Sequence, residues 1–398
     1  MKRENFLVAS IDAMLISLII ANIKFLNTSI STYISVAVLF FSFIVFFPRN
    51  FKFDNLLNNV LFLVLILSFL ISLESYFWFS ESEFNFSSFS KNALLFYLYL
   101  FYFLFIGIFL KEYPTIGRNS YQKIEKFMYL TLQINSVFVI LQFILFYLFR
   151  YKFVLTWSAS TGLFTSFRPP GFFSEPAHFA EYFLLYIIAF EREFSFKDLL
   201  IITALSLCSS GLGFVVIIIF ILYSILFGIK RRQKIMFWII SLIIFLTINL
   251  LFNPNIRFRL NLTLDNSLKL RFFKFFYILG SLGFQKILTG FGFAQSGLAV
   301  EYYKGPYESL FKLLPGYFSG VGNNFLMIGA TCFIIIECFL LYYFLKTKGN
   351  LKGLFFYFVF LGISFVSDIN FTMSIFWLPF YLILLNYFGL YSGANKNE

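Results

Sequence analysis

Long apolar runs alternate with short polar connectors along the whole chain. An α-helix needs about 20 apolar residues to cross a hydrocarbon core of roughly 30 Å, and many of these runs approach that length. The pattern predicts about twelve transmembrane helices, of which the seventh is short enough to be a tilted or broken element. The predicted ranges are 6–23, 29–47, 56–73, 92–110, 127–149, 178–190, 199–209, 211–229, 235–252, 322–345, 353–367 and 371–389.

The composition supports a membrane protein. Of 398 residues 60% are hydrophobic, 65 are Phe, and only 13% are charged, whereas a soluble domain carries about a quarter charged residues. We therefore predict an all-α, polytopic integral membrane protein that forms a single membrane domain over 1–398. The three cysteines lie in or beside apolar runs without metal-ligand spacing, which predicts small buried side chains.

The positions of the basic residues predict the topology. If the runs alternate across the membrane, most of the 31 lysines and arginines fall on one side. Excess Lys and Arg mark cytoplasmic loops, so both termini are predicted to be cytoplasmic. The net charge of +12 is then a property of these loops and gives no reason to expect a nucleic-acid partner. The cytoplasmic segments are MKR, PRNFKF, KEYPTIGRNSYQKIEK, EREFSFKD, GIKRRQK, KTKGNLKG and ANKNE.

Two outer connectors, 150–177 and 253–321, are basic as well. Attraction to lipid headgroups is one explanation, and an anionic substrate handled on the outer face is the other. Within 253–321, the stretch SLKLRFFKFFYILGSLGF predicts an interfacial amphipathic helix, and Gly290 and Gly292 after it allow a tight turn and a close backbone approach. The candidate anion-binding residues of this large loop are Arg257, Arg259, Arg271 and Lys274.

The first of these connectors leads into the segment SFRPPGFFSEPAHFAEYF at 166–183, which places an arginine, a glutamate and the chain's only histidine within eleven positions. Pro176 is tolerated at a first helical position, which predicts that the sixth helix starts near it. Glu175 and His178, the only histidine, then lie at the outer mouth of that helix, with Arg168 on the preceding loop. Ionisable groups near lipid are costly unless they pair or serve a site. The alternative is a helix cap with an incidental histidine.

Four stretches, in this order, resemble the bacterial O-antigen and polysaccharide repeat-unit polymerases, in the wider group that includes the O-antigen ligases. RPPGFFSEP is similar to their Arg-x-x-Gly-x-x-x-Glu-Pro segment, and LSLCSSGLGF to the Ser-rich start of the next helical pair. NSLKLRFFKFFYILGSLGFQKILTGFGF resembles their large-loop motif, and GVGNNFLMIGATCFIIIE the segment that re-enters the membrane. Many relatives have His-Asn in this last segment, where this chain has Asn323-Asn324.

The resemblance implies a glycosyltransferase that polymerises undecaprenyl-diphosphate-linked oligosaccharide repeat units on the periplasmic face of the bacterial inner membrane. Donor and acceptor are both lipid-linked, membrane lipids surround the protein, and a chain-length regulator is a further candidate partner. An O-antigen ligase and a lipid-linked oligosaccharide flippase or other transporter are the alternatives. The implied substrate-binding residues are those of the large loop named above, together with Arg168, Asn323 and Asn324.

The predicted chemistry needs neither a metal nor a cofactor. Arginine engages phosphate oxygens through a planar fork, so Arg168 and Arg271 are predicted to hold the diphosphate leaving group. The outer connectors hold few carboxylates and no Asp-x-Asp, which gives no indication of a Mg²⁺ site. The acceptor hydroxyl must lose a proton, which Glu175 or His178 could take. Glu175 is the favoured base and His178 the alternative.

Overall fold

A computed structural model describes residues 9, 12, 16, 55–78, 85–153, 167–173, 175–191, 195–208, 210–227 and 273–394. These residues form α-helices joined by turns and two short 3-10 helices, with no strand among them. The longer helices are α1 (Asn55–Trp78), α2 (Phe86–Glu112), α3 (Pro114–Phe149), α4 (Pro176–Phe190), α5 (Leu199–Leu207), α6 (Gly211–Phe227), α10 (Gly320–Lys348), α11 (Asn350–Val366) and α12 (Ser374–Ala394). Three short helices lie between α6 and α10: α7 (Lys274–Leu279), α8 (Phe284–Thr289) and α9 (Glu308–Leu313).

The predicted all-α class is confirmed for the described part of the chain. Three of its helices are long and apolar enough to cross a membrane, at 86–111, 117–149 and 320–348, and five further apolar helices are shorter. The short seventh helix is present as α5. Of the remaining predicted spans, 29–47 and 235–252 lie outside the described residues, as does nearly all of 6–23.

Helix α3 begins earlier than the predicted start at residue 127, because Pro114 opens a helix that includes the polar segment assigned from the sequence to a cytoplasmic connector. In its apolar C-terminal half, α3 buries polar side chains and exposes apolar ones. Asn135, Ser136 and Gln142 have no exposed surface. Such an inverted arrangement is unfavourable in water and suits a helix whose outer face meets lipid. The exposed stripe, spaced by three and four residues, is Leu130, Ile134, Val137, Leu141, Ile144 and Leu148.

The described residues divide into two compact units. The first contains residues 9, 12 and 16, residues 115–153 and the described residues from 167 to 227, so it holds most of α3 together with α4, α5 and α6. The second contains residues 55–114 and 273–394, and therefore α1, α2 and all helices from α7 onwards. In the first unit α4 packs against α6, and in the second α10 packs against α11 and α2 against α12.

Candidate functional site

The arginine-bearing loop of the first unit, residues 167–173, is fixed by two side chains of α3. The N–H of Gly171 donates to Oε1 of Gln142 at 2.8 Å, and Nε2 of Gln142 donates back to the Gly171 carbonyl at 3.1 Å. The N–H of Phe172 donates to Oδ1 of Asn135 at 2.9 Å. Asn135 and Gln142 lie seven residues apart, two turns along one helix face. Three backbone groups of the loop therefore bind to one buried stripe.

Glycine is required at the centre of this loop. Gly171 has φ of +69°, a conformation that L side chains rarely adopt, and a Cβ there would overlap Oδ1 of Asn135. The Pro169 carbonyl accepts from Sγ of Cys208 at 3.1 Å. The ring of Phe167 lies 4.9 Å from that of Phe146, and both are buried. Because the loop is fastened at both ends and at its turn, the backbone of the intervening Arg168 is held in one position.

Arg168 is half-buried on this fixed backbone. A guanidinium carries five N–H donors in a planar fork, which matches the oxygens of a carboxylate or phosphate. Because its backbone is already fixed, less backbone freedom is lost when such a side chain binds an anion.

The first turn of α4 follows the loop after two residues. Glu175 occupies the position before the helix in an extended conformation, its carbonyl accepts from the His178 N–H at 3.1 Å, and Pro176 is the first helical residue. The start of the sixth helix is thus where the sequence predicts it. The Glu175 side chain does not cap the helix, so the alternative of a capping glutamate does not describe this turn.

His178 contacts an acid that sequence analysis did not single out. Its Nδ1 lies 2.9 Å from Oε2 of Glu181, one helical turn further along. The Glu181 side chain is only 1% exposed, whereas that of His178 is 22% exposed. The turn therefore presents an accessible imidazole supported from behind by a buried carboxyl group.

In the second unit, the short helices of the large loop enclose an apolar cluster with a buried lysine beside it. Lys274 has no exposed surface. Its ammonium donates to the carbonyls of Leu314 at 2.7 Å and Pro315 at 3.1 Å, with longer contacts to two neighbouring carbonyls, and lies 4.3 Å from the ring centre of Phe318. These contacts tie α7 to the segment after α9. They do not present Lys274 to a diphosphate, so this position does not support its predicted role as a phosphate ligand.

The other described basic residues of the large loop also have contacts within it. Lys304 and Lys312 both pair with Glu308, at 3.6 and 2.7 Å, and these contacts lower the pKa of that carboxyl group. Lys286 lies over the ring of Phe291 at 5.4 Å. Arg257, Arg259 and Arg271, the other predicted anion-binding residues of this loop, lie outside the described residues.

The two glycines that follow α8 have positive φ values, +76° at Gly290 and +91° at Gly292, and they pack against a break in α10. That break is at Gly329, whose φ is +71°. The N–H of Phe291 donates to the Leu326 carbonyl at 2.7 Å, and that of Gly292 to the Met327 carbonyl at 2.8 Å. These carbonyls lie in the turn that Gly329 interrupts, so the loop supplies donors where the helix is broken.

Asn323 and Asn324 lie in the first turn of α10 and have different partners. Oδ1 of Asn323 accepts a short hydrogen bond from the hydroxyl of Ser296, which belongs to the large loop. Oδ1 of the buried Asn324 accepts from the N–H of Phe371, before α12, at 2.9 Å. The segment that resembles the family's re-entry motif thus joins the large loop to the connection between α11 and α12.

No protein-family model, curated protein or solved structure matches this chain.

Three residues that shape the first part of the site were missed in the sequence. Asn135 and Gln142 are polar positions in an apolar run, and their spacing of seven places them on one helix face. Glu181 lies three residues after the only histidine, which is contact distance on a helix. Both patterns are visible in the sequence once polar residues inside predicted spans are examined by helical face.

Proposed function

We propose that this protein is an inner-membrane glycosyltransferase that polymerises undecaprenyl-diphosphate-linked oligosaccharide repeat units. The observation that carries the proposal is the fixed arginine loop, which lies directly before a helix that begins at Pro176, with Glu175 just before its first residue and His178 in its first turn. This is the Arg-x-x-Gly-x-x-x-Glu-Pro order that resembles the polymerases. A flippase would line a central cavity with charges, whereas the candidate groups here gather in two predicted outer loops.

In the proposed reaction, a hydroxyl of the acceptor sugar attacks the anomeric carbon of the donor and the lipid diphosphate leaves. Arg168 and Arg271 bind the diphosphate and neutralise its developing charge, an electrostatic contribution that is large in group transfer. Arg257 and Arg259 are further candidates for the same anion. Glu175 or His178 takes the hydroxyl proton. Lys274 has a structural role in this reaction, because its ammonium holds two segments of the large loop together.

The proposal includes the finer topology, with about twelve spans, both termini cytoplasmic and the loops 150–177 and 253–321 periplasmic. The charge distribution along the sequence supports it. Reporter fusions after Lys286 and after Lys234 test it directly. We expect opposite compartments, and the same compartment for both would reject this topology.

The function is tested by the glycan of a deletion strain. We expect long surface chains to disappear while a single repeat unit remains attached to the surface lipid, with restoration by the wild-type gene. Loss of every repeat, including the first, would instead indicate a ligase or a flippase. Unchanged chain length would reject all three activities.

A further inference from the structure

Glu181 and His178 form the closest pair of ionisable side chains at the start of α4 that the structure describes. The two residues are three positions apart and therefore share a helix face. The 2.9 Å separation joins Oε2 of Glu181 to Nδ1 of His178, and Glu181 is almost fully buried. A buried carboxylate is unfavourable unless it is paired and hydrogen-bonded. The contact with His178 therefore offsets part of the free-energy cost of burying Glu181.

We infer that Glu181 is a positioning residue that holds the proton of His178 on Nδ1, so that Nε2 becomes the basic atom of the ring. An ionised carboxylate only accepts hydrogen bonds, so the hydrogen shared between Oε2 and Nδ1 belongs to the imidazole. In a neutral imidazole with Nδ1 protonated, the lone pair lies on Nε2. The inference rests on the proposed function in one respect, since it assigns the base of that reaction to His178.

The pair of His178 and Glu181 accounts for the proton that the acceptor hydroxyl loses in the proposed transfer. The acceptor oxygen forms a bond to the anomeric carbon while the bond from that carbon to the diphosphate oxygen breaks, and its electron pair leaves with the lipid diphosphate. The hydroxyl proton moves to Nε2. The resulting imidazolium is stabilised by the Glu181 carboxylate, as an acid behind a histidine stabilises it in other proton-transfer sites. The Glu175 side chain makes no capping hydrogen bond to this turn.

The tautomer can be measured without a substrate, because the chain contains one histidine. Full-length protein labelled with ¹⁵N-histidine gives a single pair of ring-nitrogen signals. At neutral pH we expect Nδ1 to be the protonated nitrogen and Nε2 the unprotonated one. The opposite tautomer, or a ring protonated on both nitrogens, would overturn the inference.

Three variants assign the effect to Glu181. Glu181→Met removes the acceptor at nearly constant volume and should shift the signals towards the tautomer protonated on Nε2. Glu181→Gln keeps a carbonyl acceptor and should largely retain the wild-type signals. Glu175→Gln alters the other acid near this turn and should leave them unchanged. Signals that do not respond to Glu181→Met, in protein that accumulates and keeps its unfolding temperature, would overturn the inference.

The catalytic consequence is measured separately by polymerisation with the lipid-linked substrate. We expect Glu181→Met to lower kcat at least about tenfold with little change in KM, and Glu181→Gln to be intermediate. The double variant with His178→Ala should be no slower than His178→Ala alone, because both changes remove one function. If the losses of the two single variants multiply in the double variant, Glu181 does not act through His178 and the catalytic part of the inference is overturned. If the wild type shows no transfer at all, the proposed function fails while the tautomer assignment is still decided by the ring signals.

Discussion

The side-chain amide of Gln142 satisfies both backbone hydrogen-bonding groups of Gly171, donating to its carbonyl and accepting from its N–H. Both residues are buried, so neither pair of atoms has ready access to bulk water. A buried donor or acceptor left unsatisfied costs about 1–3 kcal/mol. The contact therefore fixes the loop that carries Arg168 and links a membrane helix to the proposed anion site.

We expect Gln142→Leu to release this loop. Polymerisation should fall at least about tenfold, because a displacement of about 1 Å in a positioning element can cost a hundredfold in rate. Surface chain length and protein level are measured together. Gln133→Leu is the matched control, since Gln133 lies on the opposite face of the same helix. Equal loss in both variants would show that the loop contact has no special role.

The fold was predictable to a greater extent than the site. Helix positions follow from apolar length, and the start at Pro176 follows from proline chemistry, so both could be predicted from local sequence. The position of Lys274 could not, because its carbonyl partners lie about forty residues away in the loop. The break at Gly329 was also missed, since an isolated glycine within an apolar run is compatible with a continuous helix.

Arg168 provides a direct test of anion binding. Arg168→Ala should abolish polymerisation while the protein still accumulates in the membrane. Arg168→Lys should restore only part of the activity, because an ammonium lacks the planar fork that binds two phosphate oxygens. The same pair of changes at Arg271 should behave alike. Full chain length in both alanine variants would place the anion site elsewhere.

The contact between the large loop and α10 depends on Gly290. An alanine there would have to adopt φ near +76°, and its Cβ would overlap the N–H of Gly329. We expect Gly290→Ala to lower stability by about 2 kcal/mol or more, since left-handed strain alone costs about 1–3 kcal/mol. Unfolding temperature and protease cleavage within the loop are the measurements. Gly316→Ala is the control, because nothing lies within 4 Å of its added Cβ, and equal losses would reject the close-approach argument.

The Lys274 contacts predict a stability that depends on pH. Burial lowers the pKa of its ammonium group from 10.5 to about 8. Because the folded pKa lies below the unfolded one, the unfolded state binds more protons between these values, and stability rises with pH across that window. This contribution is complete above about pH 10.5 and is lost as pH falls through about 8.

Lys274→Met should remove that pH dependence and lower stability at neutral pH by about 1–3 kcal/mol, because the carbonyls of Leu314 and Pro315 lose their donor. Unfolding temperatures of the variant and the wild type are compared from pH 7.5 to 10.5. Lys304→Met, whose side chain is largely exposed, should keep the wild-type slope. Parallel curves for wild type and Lys274→Met would contradict the burial argument.

The last prediction separates the two candidate bases. The sequence alone favours Glu175 over His178 as the base, but the buried partner of His178 favours the imidazole, since an oriented base is the more effective one. We therefore expect His178→Ala to lower the polymerisation rate about a hundredfold, and Glu175→Gln, which is nearly isosteric, to lower it less than tenfold. Rates are compared at matched protein level with the same lipid-linked substrate. A greater loss in Glu175→Gln would return the role of base to Glu175 and leave Glu181 with a structural one.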